Sequence, residues 1–141
     1  MKKLYLMRHG EQASSTIDPK KPLTENGKAK IQKFANSIDP LNVETIYHSN
    51  KLRAKQTAQI IAKGQSITQR NNLAPNDDIS NIVEEINTTE KNLLIVGHLP
   101  FLSKLASYLV TQNQDNQIIQ FDAGTLVCLE YENNKWNINN K

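Results

Sequence analysis

Apolar positions in this chain recur in two rhythms that alternate from the N-terminus onward. Lys3–Arg8, Thr45–Ser49 and Asn92–Gly97, with a weaker run at Ser66–Arg70, are short and largely apolar, as buried strands are. Between them the apolar residues step at helical spacing. Gly27, Ile31, Phe34 and Ile38 advance by four, three and four; Thr24 stands before them as a candidate N-cap, and Pro40 follows their end. Ala54, Ala58 and Ile61 mark one face of a helix predicted over Arg53–Lys63, with Gly64 as its stop. Ile79, Ile82, Val83 and Ile86 fall at i, i+3, i+4 and i+7, and so do Leu102, Leu105, Ala106 and Leu109 just after Pro100.

Strands that alternate with helices of this length predict crossover units. The fold class is therefore α/β: a three-layer sandwich with a mostly parallel central sheet and helices on both faces. The C-terminal part breaks the rhythm. Thr125–Glu132 and Lys135–Asn139 flank Asn133-Asn134, which predicts a tight hairpin of antiparallel strands closing the sheet edge. No internal repeat or low-complexity linker divides the chain, so residues 1–141 read as one domain.

Composition narrows the function classes. The 141 residues carry 17 Lys and Arg against 14 Asp and Glu, a net charge of +3. The cations are dispersed, which argues against a nucleic-acid tract and favours a local pocket for an anionic group. A single cysteine, Cys128, allows no internal disulfide, and its place in an alternating strand reads as core. The apolar run after Lys2-Lys3 is too short for a signal-peptide core, and none reaches membrane-spanning length. The expectation is a cytoplasmic protein without membrane attachment; the oligomeric state is left open. Lys20, Lys21, Lys28 and Lys30 read as solvated faces.

The chemistry gathers at strand ends. The first strand runs into Arg8-His9-Gly10, the second into His48-Ser49 followed by Leu52-Arg53-Ala54-Lys55-Gln56-Thr57-Ala58, and the fourth into Gly97-His98-Leu99-Pro100. Ligands of open α/β sheets bind at the carboxyl ends of the strands. In a parallel sheet Arg8, His9, Arg53 and His98 would converge on one edge as a cationic cradle for a tetrahedral anion, with helix N-termini beside it. His48 reads as a packed residue or a support for Ser49.

These elements, in this order, resemble the signatures of the histidine phosphatase superfamily. Leu23-Thr24-Glu25-Asn26-Gly27 is similar to that family's "LTxxG" element, and the small size resembles its phosphohistidine phosphatase SixA group. The resemblance implies that His9 is the nucleophile and forms a phosphohistidine intermediate that water hydrolyses. It implies that Arg8, Arg53 and His98 bind the non-bridging oxygens, with no metal or cofactor required. The implied partner is a phosphohistidine-bearing protein such as a phosphotransfer domain.

One departure bears on the substrate. Larger members of the family carry a glutamate acid between the second arginine and the second histidine. Here 44 residues lie between Arg53 and His98, and the corresponding stretch reads Leu73-Ala74-Pro75-Asn76-Asp77-Asp78. Glu84 and Glu85 come later, on the predicted helix, and read as solvent-facing. An ester needs a proton donor for its alkoxide, whereas a protonated imidazole leaves readily, so the loss favours a phosphoramidate. Glu11 is the candidate acid, balanced against a role in loop hydrogen bonding, with Asp77 and Asp78 as substitutes. The competing readings are a broad small-molecule phosphomonoesterase and a phosphate-binding module without catalysis.

Overall fold

The computed structural model describes residues 2–139. In chain order they form β1 (Lys2–Arg8), α1 (Glu25–Ser37), β2 (Thr45–His48), α2 (Leu52–Ile61), β3 (Ser66–Gln69), α3 (Ser80–Thr88), β4 (Leu93–Gly97), α4 (Phe101–Thr111), β5 (Leu126–Glu132) and β6 (Lys135–Asn139). The strands make one six-stranded sheet in the order β3-β2-β4-β1-β5-β6. The β3-β2, β2-β4 and β4-β1 pairs are parallel, and β1-β5 and β5-β6 are antiparallel. This is the α/β sandwich that the alternating rhythms predict.

Two apolar cores lie on opposite faces of the sheet. Leu4, Leu6, Leu93 and Ile95 pack with Ile82 and Ile86 of α3 and with Leu102, Leu105 and Leu109 of α4. Met7, Leu94 and Val96 pack on the other face, with Ile31 and Ala35 of α1 and Ala54, Ala58 and Ile61 of α2. Successive residues of one strand thus enter opposite cores, and β4, wholly buried, contributes to both.

Local signals placed the element ends well, with exceptions. The Thr24 hydroxyl accepts the Gly27 N–H at 2.8 Å, capping α1. Asn133 and Asn134 both hold positive φ, 56° and 65°, as a two-residue hairpin turn of the I′ kind requires. α2, however, stops at Ile61, and Ala62 is already extended, so Gly64 with φ 94° serves the turn beyond the helix and not its cap. Cys128 is not core: it is half-buried at the rim of an apolar recess that Tyr5, Phe34 and Ile138 also line. α1 and α2 pack over the Met7–Val96 side of the sheet and leave that part of β5 uncovered. Glu85 is not solvent-facing either. Its carboxylate takes both Nη1 and Nη2 of Arg70, and the Arg70 guanidinium lies over the Tyr47 ring at 4.4 Å. Glu84 is exposed as expected.

Candidate active site

Strand register brings the motifs together. β1 pairs with β4 so that Met7 faces Val96 and Arg8 faces Gly97, which sets His9 beside His98 one residue further on. β2 flanks β4 from the other side with His48 facing Val96, so Ser49 emerges at the same level. The His9 N–H donates to Gly97 O at 3.0 Å, and the two imidazole rings lie 5.0 Å apart, centroid to centroid. Arg53 enters from the first turn of α2 and Arg8 from the end of β1. All four sequence-predicted residues therefore meet at the carboxyl edge of the sheet.

His9 is 6% exposed, and its Nδ1 lies 2.7 Å from Gly10 O. A carbonyl only accepts, so Nδ1 carries the proton and the neutral ring leaves its lone pair on Nε2. Burial is the largest cause that holds the His9 pKa down, to about 4; the bond to Gly10 opposes it, and the charges of Arg53 and Arg8 add to it. His98 is pushed down to about 3, by burial first and then by His9, Arg53, Lys51 and Arg8. Both rings are neutral at physiological pH.

The tautomer of His98 follows from counting donors. Its Nε2 sits 2.5 Å from Ser49 Oγ, which also accepts the Lys51 N–H at 3.2 Å. If the Ser49 hydroxyl donates to Nε2, every atom of that group is satisfied and Nδ1–H alone is left over. The reverse assignment strands both the Ser49 proton and the Nδ1 lone pair. The first is favoured, because each buried unpaired group costs about 1–3 kcal/mol. Nδ1 of His98 is then a donor.

Among the described residues, the buried side-chain nitrogens and oxygens without a partner are Arg8 Nε, Arg53 Nε and His98 Nδ1. All three are donors, and all three belong to this cluster. Buried donors left unpaired in a native fold call for an explanation, and guanidinium and imidazole N–H groups are the donors that oxyanions accept from. Arg8 is otherwise anchored by Nη1 to Phe121 O at 2.9 Å.

The supports around these groups were only partly legible in the sequence. Thr57 Oγ1 accepts the Gly10 N–H at 3.1 Å and donates to Arg53 O at 2.9 Å, tying the first motif to the second. Gln56 Oε1 accepts the Leu23 N–H at 2.8 Å. The motif string already contained Gln56 and Thr57, but nothing in it assigned them these bonds. The loop after Phe121 also closes on the site, with the Gly124 N–H shared between Arg8 O and His9 O. Gly124 holds φ 79°, which strains an L side chain, and a Cβ there would press on Ile31 Cδ1 at 2.9 Å. His48 is buried with Nδ1 2.7 Å from Ser49 O, next to the residue that orients His98.

Glu11 is hydrogen-bonded to the start of α1. Its carboxylate accepts Thr24 Oγ1 at 2.6 Å and Asn26 Nδ2 at 3.4 Å, and these bonds, Thr24 first, lower its pKa. A carboxylate stabilised in its charged form is a poor proton donor at neutral pH. Asp77 accepts the Ala74 N–H, and Asp78 accepts the Ser80 N–H, which lowers the Asp78 pKa. Glu85 is lowered by Arg70 above all. Among the described residues no group of three or more His, Cys, Asp or Glu is arranged to hold a metal ion.

The family profile of the histidine phosphatase superfamily (branch 1) matches residues 4–75. The chain belongs to the histidine phosphatase superfamily. Solved superfamily-like folds superpose over nearly its whole length. The protein histidine phosphatase SixA complexed with tungstate is 21% identical with a TM-score of 0.78, over 97% of this chain and 94% of that one. The alpha-ribazole phosphatase from Shigella flexneri is 16% identical with a TM-score of 0.81, over 97% and 94%. The phosphoserine phosphatase from Entamoeba histolytica, in complex with 3-phosphoglyceric acid, is 18% identical with a TM-score of 0.77, over 98% and 95%. At these identities the likeness is one of fold. No curated protein matches the chain by sequence. Among the described residues of this superfamily member, no helix is long and apolar enough to cross a membrane.

Proposed function

We propose that the protein is a phosphohistidine phosphatase that removes phosphate from a histidine of a signalling or carrier protein. The observation that carries the proposal is the set of three buried unpaired donors, Arg8 Nε, Arg53 Nε and His98 Nδ1, gathered around a histidine whose Nε2 lone pair is free. The Nε2 lone pair of His9 attacks phosphorus in line. The P–N bond to the substrate imidazole breaks, and that ring, protonated on its far nitrogen, leaves as the neutral base. Water then attacks the phosphohistidine at His9, releasing phosphate and restoring the neutral ring. Two guanidiniums and the His98 donor neutralise the non-bridging oxygens throughout, so no step is routed through a metal.

The acid inventory supports a phosphoramidate over an ester. The carboxylates with displaced pKa values, Glu11, Asp78 and Glu85, are all displaced downward and hydrogen-bonded as anions. None is a carboxylic acid held neutral for an alkoxide leaving group. The test is a side-by-side rate measurement on a phosphohistidine protein and an aryl phosphate ester. The expected result is a clear preference for the former and loss of both activities in His9→Ala. Equal or faster ester turnover would overturn the substrate assignment.

A further inference from the structure

We propose that loop 13–22 and the first turn of α2 form a docking surface for an acidic protein, whose carboxylates seat on Lys20, Lys21 and Lys51 while its phosphohistidine reaches His9. This rests on the phosphohistidine reading above. A recess of about 480 Å³ opens between the two segments, lined by the three lysines, Leu52 and Arg53 among others. Arg53 belongs both to this recess and to the oxyanion cluster, where its charge acts on His9 and His98. Lys51 also reaches His98 electrostatically. The recess therefore adjoins the oxyanion cluster through Arg53.

The lysines are not consumed by the fold. Among the described residues, none of Lys20, Lys21 and Lys51 takes part in an ion pair. The carboxylate nearest in sequence to Lys20 and Lys21, Asp18, accepts the Lys20 backbone N–H at 3.0 Å. Nor is the loop an unstructured excursion. Its base is closed by the Gln12–Leu23 bridge and by the Ala13 N–H on Pro22 O at 2.7 Å, and Leu23 is fastened to Gln56 of α2. Lys21 is held at φ 47°, a left-handed conformation that few non-glycine residues adopt. Its N–H bonds Asp18 O at 2.9 Å. The closed loop thus carries two adjacent cations at a hydrogen-bonded turn.

Charge alone would suit a second phosphate or carboxylate of a small substrate. The exposed apolar residues on the same two segments decide for a protein. Ile17, on the same loop, is 81% exposed, and Leu52 is 36% exposed; these are two of the three large apolar side chains that stand out in solvent among the described residues. A small anion gains nothing from them. A protein interface uses both features, cations for encounter and register and apolar groups for the dehydrated centre.

The test uses the full chain and two phosphohistidine peptides that differ only in flanking aspartates or serines, with phosphoimidazole as the small substrate. Wild type should favour the acidic peptide by about tenfold in kcat/KM at low salt, mainly through KM. The double variant Lys20→Glu/Lys21→Glu should abolish that preference and leave phosphoimidazole turnover unchanged. On an intact acidic phosphotransfer domain, Ile17→Ser should raise KM about threefold, with phosphoimidazole again unaffected. Equal turnover of the two peptides by wild type overturns the proposal, as does an equal loss on phosphoimidazole in the double variant. Anisotropy of the unphosphorylated peptides is read in parallel. Absence of turnover with the acidic peptide still bound preferentially would sink the catalytic reading and leave the docking surface standing; indifferent binding would sink the docking surface.

Discussion

At the scale of single residues, the chemistry of the site depends on where four protons sit. His9 keeps one on Nδ1 through Gly10 O, and His98 keeps one on Nδ1 because Ser49 donates to its Nε2. Ser49→Ala removes the bond that selects the His98 tautomer. The ring nitrogen shifts of His98 should then move toward a tautomer mixture, and kcat/KM on a phosphohistidine substrate should fall about tenfold, as for other groups that orient a catalytic partner. The two guanidiniums supply the remaining donors through Arg8 Nε and Arg53 Nε. Arg53→Lys retains the charge and loses the planar fork, so kcat/KM should drop by about 10²-fold, the cost of one preorganised donor to an oxyanion. Arg8, His9, Arg53 and His98 were all legible in the sequence, because each closes a strand-like run or comes within four residues after one. Ser49 was legible only as a position in a motif. Its partner is 49 residues away, and no local pattern encodes a bond of that span.

At the scale of elements, α1 is the clearest case of a motif with a mechanical cause. Gly27 packs on the turn after the nucleophile, where an added Cβ would stand 2.5 Å from Glu11 O. Alanine gains about 1 kcal/mol over glycine in helix propensity, but overpacking against backbone costs about 1–3 kcal/mol and also displaces the segment that follows His9. Gly27→Ala should therefore lower the unfolding midpoint in urea and reduce kcat, despite its better propensity. Thr24→Ala loses the cap and frees Glu11, at a cost of about 1 kcal/mol in the same assay. The helix starts and the Asn133-Asn134 turn could be read ahead because caps and turn types act over two to four residues. The end of α2 and the burial of Cys128 and Glu85 could not. They depend on which sheet face a helix covers and on Arg70 arriving from a different strand end.

At the scale of the whole molecule, the fold gathers cationic and imidazole groups at one edge and suppresses protonation of the two imidazoles. The pKa values of His9 and His98 are lowered, to about 4 and about 3, from an ordinary 6.5. The unfolded chain then binds more protons than the native one as pH falls below about 6.5, so stability declines from there toward the folded pKa values. Chemical denaturation should show a loss of a few kcal/mol between about pH 7 and pH 4.5. Saturating phosphate should blunt it, because an oxyanion favours the protonated rings. By NMR titration His9 should stay neutral through about pH 5, and a His9 pKa near 6.5 would contradict the buried, guanidinium-flanked site.

Periodicity, caps and motif order sufficed to determine the α/β class, the succession of elements and the four residues at the strand ends. These are local quantities, set by spacing along the chain and by the chemistry of neighbours a few residues apart. Tertiary structure alone decided the order of the strands, the register that sets His9 beside His98, and the tautomer that Ser49 imposes. It also decided that Glu11 bonds its own loop and that Glu85 bonds Arg70. Each of these depends on groups distant in sequence meeting at hydrogen-bond range, and only the packing of two cores around one sheet sets such distances.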